Sequence, residues 1–377
     1  MITSKHIKKI TAAMLCLSVL LCGFMIYAAN AFDIAHVTEY QKKMFGDKIV
    51  TLDIQVNKDD WQELLDNAKE KDWIPCDLII NGKRFSDVGI RTKGNSTLTQ
   101  VSKSDDDRYS LQFEANHYVK GQTFYGLDTF CVNNLFDDVT YMKETLAYDM
   151  MKYIGVPSPL TNYASVTVNG EDYGFMLMLE RYDKAFLDRI YNTSSGQLYN
   201  VKNEKNDQGG SLLYLGDKVG LYSEIFDNAI FKDKSGKHEK RIVKAIKNLN
   251  AGTNLEEYFD VDEILRYFAA HTALVNTNSY ITKQQQNYYI YERGKLITIL
   301  PWSYRLSFGG ILNEEKISLS EIVNFPIDTP VIGVELEERP LLNKLLEIDA
   351  YREKYHEYLR QIAEGYFEGG LFETAIT

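Results

Sequence analysis

The chain has 377 residues, of which 45% are hydrophobic and 25% are charged. This composition is typical of globular proteins and excludes a disordered or collagen-like chain, and the length allows two domains or one large one. The formal net charge of −11 repels the phosphate backbone, so we expect no sequence-independent nucleic-acid binding.

The first 31 residues have the pattern of an export signal. A basic start from Lys5 to Lys9 precedes an uncharged run over residues 10–29, which leads into the small-x-small sequence Ala-Asn-Ala. This pattern predicts a secretory signal peptide over residues 1–31, although the run is also long enough for an uncleaved membrane anchor. Both alternatives place residues 32–377 outside the cytoplasm, because the basic residues favour an inside N-terminus.

Two cysteines remain after this segment, Cys76 and Cys131. They form one disulfide in an oxidising compartment or stay as two buried thiols, and their spacing does not decide between these alternatives. Because the sequence holds no CxxC motif or Cys/His cluster, we expect no structural zinc site.

Apolar alternation, turn residues and helix caps predict the elements of the first part of the chain. The Asn-Gly pair at 81–82 predicts a tight hairpin turn, and the charged start at Lys58 predicts a helix with an apolar face from Trp61 to Ala68. The predicted strands are 49–56, 77–80, 85–92 and 109–114.

The rest of the chain alternates between predicted helices and hairpins. Thr140 is predicted to cap a helix that Gly155 ends, and Asp260 with Glu263 has the form of a capping box that opens another helix. Further predicted elements are hairpins across Asn169-Gly170 and Arg293-Gly294 and a charged helical tail over residues 347–366. Strands and helices in separate runs predict an α+β fold with antiparallel sheets.

Five short motifs occur in a fixed order along the chain. They are IRTKGNS at 90–96, VNGEDYG at 168–174 with Glu180 after it, NTNSY at 276–280, NYYIY at 287–291 and PWSYRLSFGG at 301–310. Any one of these motifs is unspecific, but the ordered set resembles that of the CotH family of atypical kinases. The resemblance spans residues 48–370.

The resemblance implies an atypical protein-kinase-like fold. Residues 48–180 would form a β-rich N-terminal lobe-like part, and residues 181–377 a mainly helical C-terminal lobe-like part with the catalytic-site-equivalent hairpin. The implied cofactors are ATP with Mg²⁺ or Mn²⁺, and the implied partners are exported or spore-coat proteins. Since family members continue with more C-terminal helix, the end at Thr377 favours a truncated chain.

Two acidic positions that the family uses for catalysis are not acidic in this chain. The resemblance places the Asp that acts as catalytic base at Asn278, and the Asp that holds the metal at Ser303. An amide takes no proton at neutral pH, and a hydroxyl brings no charge to hold Mg²⁺. Arg305 stands where the family has Asn and disfavours a cation, and Gln112 stands where we expect a basic residue.

The resemblance also indicates the cofactor-binding residues Arg91, Lys93, Glu180, Asn287 and Arg305. Arg91 and Lys93 would bind nucleotide phosphates, and Arg305 would hold a phosphate in place of the metal. Glu180 would pair with a basic residue, and Asn287 would be a relic ligand of metal or phosphate. The alternatives are solvated or ion-paired charges for the cations, a strand-end cap for Glu180 and a hydrogen-bonded amide for Asn287.

The residues leave three functional hypotheses open. The first is an exported CotH-like pseudokinase that acts as a binding or scaffold component of the spore coat or the cell surface. The second is an active atypical ATP-dependent protein kinase, in which a loop such as residues 204–207 donates the missing carboxylate. The third is a decaying or partial copy without a selected function.

Overall fold

The structure covers the chain that follows the N-terminal segment. The computed structural model describes residues 37–377 except 137, 204–208, 232 and 311–317, and before residue 37 only 11, 14, 15 and 18. The contacts divide the chain into two compact units, Met1–Glu39 and Tyr40–Thr377. The predicted signal peptide or anchor lies outside the described residues, apart from those four. Within the described part of the chain, no helix has both the length and the apolar character to cross a membrane.

Ten strands form two sheets in the part of the chain that the structure describes. In chain order they are β1 (Val50–Gln55), β2 (Ile74–Ile80), β3 (Lys83–Thr92), β4 (Leu111–Glu114), β5 (Thr129–Asn133), β6 (Thr161–Val168), β7 (Glu171–Glu180), β8 (Gln197–Val201), β9 (Tyr288–Arg293) and β10 (Leu296–Pro301). Seven strands form a closed barrel in the order β1-β2-β3-β4-β5-β7-β6, and three form a sheet in the order β10-β9-β8.

Two predicted Asn-Gly turns join barrel strands. Asn81-Gly82 connects β2 to β3, Asn169-Gly170 connects β6 to β7, and all four residues have φ between 49° and 86°. Left-handed backbone at both central positions is what a two-residue type I′ turn requires. Asn81 Oδ1 accepts a hydrogen bond from the amide of Thr51, and Asn169 Oδ1 accepts one from the amide of Val56, both at 3.0 Å. The two turns therefore also hold the two ends of β1.

The barrel closes through a parallel pairing of β1 with β6. Val50 lies opposite Ala164 and Ile54 opposite Val168, whereas the other neighbouring strands of the barrel are antiparallel. Alternation along β1 turns Val50, Leu52 and Ile54 into the interior, where they are buried. The predicted α+β class is confirmed. The prediction of antiparallel sheets is wrong at the β1–β6 pairing, which we call the seam of the barrel.

Helices lie before, between and after the strands. In chain order they are α1 (Glu39–Met44), α2 (Lys58–Asp66), α3 (Ser96–Val101), α4 (Lys143–Ile154), α5 (Lys184–Tyr191), α6 (Ser223–Phe226), α7 (Lys237–Ala251), α8 (Leu255–Tyr258), α9 (Val261–Leu274), α10 (Leu319–Val323), α11 (Pro340–Leu346), α12 (Asp349–Gln361) and α13 (Leu371–Ile376). Short 3₁₀ turns occur at Gly209–Ser211, Val219–Tyr222 and Leu336–Glu338, and a π-helical turn at Ile362–Phe367 extends α12.

Helix α9 is mostly buried and contacts α4, α12 and β10. One of the two hydrogen bonds of the predicted capping box is present: Asp260 Oδ1 accepts from the backbone amide of Glu263 at 3.2 Å. The Glu263 carboxylate instead accepts hydrogen bonds from the hydroxyls of Tyr191 and Thr298, both at 2.7 Å. The N-terminus of α9 is therefore fixed to β10 and to the end of α5.

Two large apolar clusters lie inside the barrel and among the helices. Leu177 and Leu179 of β7 belong to the helical cluster, so one outer face of the barrel packs against the helices. The predicted division between residues 48–180 and 181–377 stays a prediction, because the contacts place both parts in one compact unit.

Cys76 and Cys131 are free, buried thiols on β2 and β5. Of the two alternatives for this pair, the structure shows the thiols. Burial, with Asp77 next to it, raises the pKa of Cys76 well above its usual value, and a thiol that stays protonated is a poor nucleophile.

Candidate functional site

The predicted catalytic positions lie on two loops around the β9–β10 hairpin. The loop between α9 and β9 carries Asn278 and Asn287, and the loop after β10 carries Ser303. Left-handed backbone occurs in these loops at Val275 (φ 44°), Asn287 (φ 60°) and Ser303 (φ 63°). Residues other than glycine adopt it at a cost, especially when β-branched, so the surrounding contacts must fix the loops.

Asn278 is buried and its side chain is engaged. Its Oδ1 accepts a hydrogen bond from Nε2 of Gln286 at 3.1 Å, and its backbone carbonyl accepts one from Nδ2 of Asn287 at 3.0 Å. The structure thus brings the predicted base position into contact with the predicted relic ligand. In this arrangement Asn287 is a hydrogen-bonded amide at a strand start, and its role as a ligand stays a prediction.

Asn276 links the two loops. Its Nδ2 donates to the backbone carbonyl oxygen of Ser303 at 3.3 Å, and its Oδ1 accepts from the backbone N–H of Asn278 at 3.3 Å. The two predicted catalytic positions therefore meet at one side chain. Asn276 is the first residue of the NTNSY motif, which is the signal that would have found it.

His271 of α9 forms hydrogen bonds with one residue of each loop. Its Nε2 lies 2.8 Å from Oγ of Ser279, and its Nδ1 lies 2.8 Å from the Tyr304 hydroxyl. Burial lowers the pKa of His271 to about 3, so the ring is neutral at physiological pH, with one nitrogen donating and the other accepting. His271 is a packed histidine that positions the loops.

Lys93 connects the barrel to the loop after β10. Its Nζ donates to Oδ1 of Asn133 at 2.5 Å, and Nδ2 of Asn133 donates to Oε2 of Glu144 at 2.8 Å. Oε1 of Glu144 accepts from the amide of Tyr304 at 3.2 Å. Protein kinases hold a Lys–Glu ion pair, and here Asn133 separates the lysine from the glutamate. No motif indicated Glu144, because its partners come from distant segments.

Arg91 lies on β3 with its guanidinium 4.5 Å from the centre of the Trp73 ring. Its Nη2 donates to Oε1 of Gln112 at 3.0 Å. Burial and the nearby guanidinium of Arg181 lower the pKa of Arg91. The sequence predicts a basic residue at position 112. Such a residue would place a third positive charge beside Arg91 and Arg181, so the neutral side chain of Gln112 avoids electrostatic repulsion.

Glu180 pairs with a basic residue, as predicted, and that residue is Arg189 of α5. The Tyr40 hydroxyl and the amide of Leu160 also donate to its carboxylate. Lys93 contacts Asn133 instead, so Glu180 and Lys93 do not form a pair. The participation of Glu180 in cofactor binding stays a prediction.

Arg305 reaches the first motif of the chain. Its Nη2 donates to Oγ of Ser96 at 3.0 Å, across a sequence separation of 209 residues. Trp302, in the same loop, lies 5.8 Å from Nζ of Lys93, measured to the ring centre. The IRTKGNS motif, which carries Lys93 and Ser96, therefore contacts the PWSYRLSFGG motif, which carries Trp302 and Arg305.

Two carboxylates of the described residues bear on these loops. Glu144 accepts from the amide of Tyr304, next to Ser303, whereas Glu292 of β9 is buried and pairs with His238 and Arg241. Within the described residues, no group of three or more His, Cys, Asp and Glu side chains is placed to hold a metal ion. The loop at 204–207, considered as a carboxylate donor, lies outside the described residues.

Comparison with known proteins agrees with the motifs. The family described as "CotH kinase protein" matches residues 90–377. "Inner spore coat protein H" of Bacillus subtilis (strain 168) is 24% identical over 304 residues, which make up 78% of this chain and 78% of that protein. "Inner spore coat protein H-like protein" of the same organism is 30% identical over 88 residues, 23% of this chain and 26% of that protein. Because the family match covers more than half of the sequence, the chain belongs to the CotH kinase protein family.

Proposed function

We propose that this protein is an exported CotH-like pseudokinase that serves as a binding or scaffold component of the spore coat or the cell surface. The similarity to a protein named for the inner spore coat supports the coat assignment. The observation that supports the loss of catalysis is that Asn276 binds the backbone of both Asn278 and Ser303, which brings these two positions together. An amide and a hydroxyl then stand where the resemblance to the family places two carboxylates.

The first missing function is that of the base. Phosphoryl transfer uses a carboxylate to receive the proton of the acceptor hydroxyl. The amide of Asn278 has no such basicity, and its oxygen already accepts from Gln286. Loss of a general base typically costs about 10²–10⁴ in rate.

The second missing function is metal binding. Mg²⁺ in kinase sites is held by one or two carboxylates together with the substrate phosphates. The expected metal position is the Ser303 hydroxyl, Arg305 lies two residues further on, and the described residues supply no carboxylate cluster. The residues present do not fit Mg²⁺ or Mn²⁺, so we assign no step to a metal. A bound nucleotide would be held through its phosphates by Arg91, Lys93 and Arg305.

The kinase-like fold is part of the same proposal, and an active atypical kinase is the second candidate. The active-kinase candidate is favoured by the hydrogen-bonded link from Lys93 through Asn133 to Glu144. This link joins a lysine and a glutamate, the two residue types that pair in kinases. Activity would then need a carboxylate from elsewhere in the chain.

Transfer of the ATP γ-phosphate to a serine-rich acceptor, with Mg²⁺ or Mn²⁺, separates the candidates. We expect no transfer by the natural protein and measurable transfer by the triple variant Asn278→Asp, Ser303→Asp, Arg305→Asn. A matched control carries Ser194→Asp, Asn324→Asp and Lys103→Asn, which change the net charge equally at exposed positions; this control should stay inactive.

Transfer by the natural protein would overturn the pseudokinase proposal. If neither the natural protein nor the triple variant transfers phosphate, then the assignment of Asn278 and Ser303 as the lost positions fails. Adding Lys93→Met to an active triple variant should abolish the transfer, which would show that the reaction occurs at this site.

A further inference from the structure

We propose that copies of this protein assemble head to tail through two oppositely charged helix faces. The basic face is defined as Lys237, Lys240 and Lys244 of α7, and the acidic face as Asp59, Glu63 and Asp66 of α2. In this arrangement the acidic face of one copy binds the basic face of the next. The inference goes beyond the proposed function, because it requires neither the presence nor the loss of kinase chemistry.

The basic face results from the amphipathic pattern of α7. With 3.6 residues per turn, its three lysines lie on the side of the helix opposite the buried side chains, and all three are exposed. The next lysine of the helix, Lys247, already pairs with Asp217 and is not part of the face. The buried side chains of α7 are Ile242, Val243, Ala245, Ile246 and Leu249.

No carboxylate neutralises the basic face at close range. Within the described part of the chain, no carboxylate oxygen lies within 4.0 Å of its three ammonium groups. Asp233 and Glu257 act on the face from a greater distance, and Lys244 lies over the neutral ring of Tyr258. The face is therefore a row of positive charge on a chain whose net charge is −11.

The acidic face is formed by α2 in the same way. Leu64 of this helix is buried, the helix contacts β2 and β3 of the barrel, and the three carboxylates are exposed on the opposite side. Among the residues that the structure describes, none places a Lys, Arg or His nitrogen within 4.0 Å of these carboxylates. The two faces therefore do not neutralise each other within one copy.

The spacing of the two faces matches in antiparallel order. From Lys237, the other two lysines follow after three and seven residues, and from Asp66, read towards the N-terminus, the other two acids also follow after three and seven residues. At 1.5 Å per residue, both sets of charges lie about 4.5 and about 10.5 Å along their helix axes. Antiparallel helices then form three pairs, which are Lys237–Asp66, Lys240–Glu63 and Lys244–Asp59.

A second copy of the chain is the partner that the two faces fit. Each copy carries both faces, and their charges and spacing are complementary. A polyanion such as a nucleic acid would use the basic face alone and would leave the matching spacing of the acidic face without a role. Because the two faces differ, a pair of copies retains one free face of each kind. Such a heterologous contact repeats into a ring or an open filament.

Salt concentration should control the contact. Exposed ion pairs are individually weak, so the complementary faces fix register and orientation more than affinity, and assembly needs concentrated protein. The net charge of −11 also makes distant parts of two copies repel each other. At about 0.1 M salt the Debye length is about 10 Å, so this repulsion is screened while charges in contact still attract. At about 1 M salt it is about 3 Å, and the attraction is screened as well.

Sedimentation velocity of the concentrated natural protein tests the proposal. We expect a sedimentation coefficient that increases with protein concentration at about 0.1 M salt, and a monomer at about 1 M salt. Two triple variants reverse one face each. They are the basic-face variant Lys237→Glu, Lys240→Glu, Lys244→Glu and the acidic-face variant Asp59→Lys, Glu63→Lys, Asp66→Lys.

Each face variant alone should associate at least about tenfold more weakly than the natural protein, because three attractions become repulsions. An equimolar mixture of the two variants should associate again, because each reversed face then meets an opposite charge. A control with the same net charge as the basic-face variant should assemble normally; it carries Lys103→Glu, Lys120→Glu and Lys218→Glu at exposed positions. Circular dichroism checks folding, and if a triple variant does not fold, Lys240→Glu and Glu63→Lys reverse the central pair alone.

The inference fails if the natural protein stays monomeric at both salt concentrations, or if folded face variants assemble normally. It also fails if the mixture of folded variants stays monomeric, or if assembly persists at about 1 M salt, which would indicate an apolar contact. Binding of a DNA oligonucleotide that the basic-face variant loses, without self-association, would assign the basic face to a polyanion instead. Phosphate transfer by the natural protein would overturn the proposed function and leave this inference standing.

Discussion

Arg189 donates two hydrogen bonds to the carboxylate of Glu180, from Nη2 at 2.5 Å and from Nε at 3.1 Å. The Glu180 side chain has no exposed surface and that of Arg189 is only 11% exposed. The last residue of β7 is therefore joined to α5 by an ion pair in the protein interior. Breaking such a pair leaves one buried charge without compensation.

Removal of the arginine alone should destabilise the fold strongly. For Arg189→Met we expect the free energy of unfolding to fall by about 3–5 kcal/mol, measured by urea denaturation. The double variant Glu180→Gln, Arg189→Met should recover part of this loss, because it leaves no buried charge unpaired. Arg352→Met, which breaks the more exposed pair with Asp349, should cost less than about 1 kcal/mol. Equal losses for the two single variants would contradict this account.

Asp183 should make the protein less stable as the pH rises. Burial, together with the carboxylates of Glu180 and Asp128, raises the pKa of Asp183 to about 7, and its Oδ2 has no partner among the described residues. Because the folded state then holds a proton that the unfolded state releases near its ordinary pKa, the free energy of unfolding should decrease between about pH 4 and pH 7.

The variant Asp183→Asn isolates this contribution. Asparagine keeps the side-chain oxygen that accepts from the amides of Ala185 and Phe186 at 2.8 and 3.0 Å, so the cap of α5 survives. Thermal unfolding of both proteins across this pH range should show a smaller loss of stability in the variant. The exposed substitution Asp349→Asn serves as control, and an unchanged pH profile for Asp183→Asn would refute the expectation.

His271 should have the opposite pH dependence. Its pKa is lowered to about 3 in the folded state, whereas an unfolded histidine titrates near its ordinary value of about 6.5. The unfolded state binds the additional proton, so the free energy of unfolding should decrease as the pH falls from about 6.5 to about 3. The melting temperature of His271→Gln should vary less with pH over this interval than that of the natural protein. His356→Gln alters a histidine that is a third exposed and should not flatten the profile in the same way.

Local sequence signals predicted the hairpins well because turn chemistry acts within a few residues. Asn81-Gly82 and Asn169-Gly170 take the φ values that their turns require. The start of α4 differs from the prediction for a local reason. Oδ2 of Asp138 accepts from the amide of Lys143 at 2.8 Å, and its Oδ1 accepts from the hydroxyl of Thr140. The N-cap position is Met142, which has no side-chain cap, and among the described residues the hydroxyl of Thr140 accepts only from the amide of Met142, at 3.2 Å, so the helix begins at Lys143 and not at the predicted cap.

The site was only partly predictable because its contacts join distant segments. The ordered motifs located Asn278 and Ser303, and these positions do meet at Asn276. Glu144 and Arg181 belong to no motif that signals a partner. Their neighbours follow from barrel register and helix packing, which periodicity within a short window does not contain.

The seam between β1 and β6 also constrains the order in which the chain folds. Thr167 donates from Oγ1 to Oδ1 of Asp53 at 2.9 Å, across 114 residues. A growing chain therefore carries β1 with one unpaired edge until β6 has been synthesised, and such edges attract other strands. Contacts this far apart form late, after local hairpins. The first strand of the barrel should accordingly keep an unpaired edge over the longest stretch of synthesis, which makes an incomplete chain ending before Val168 prone to association.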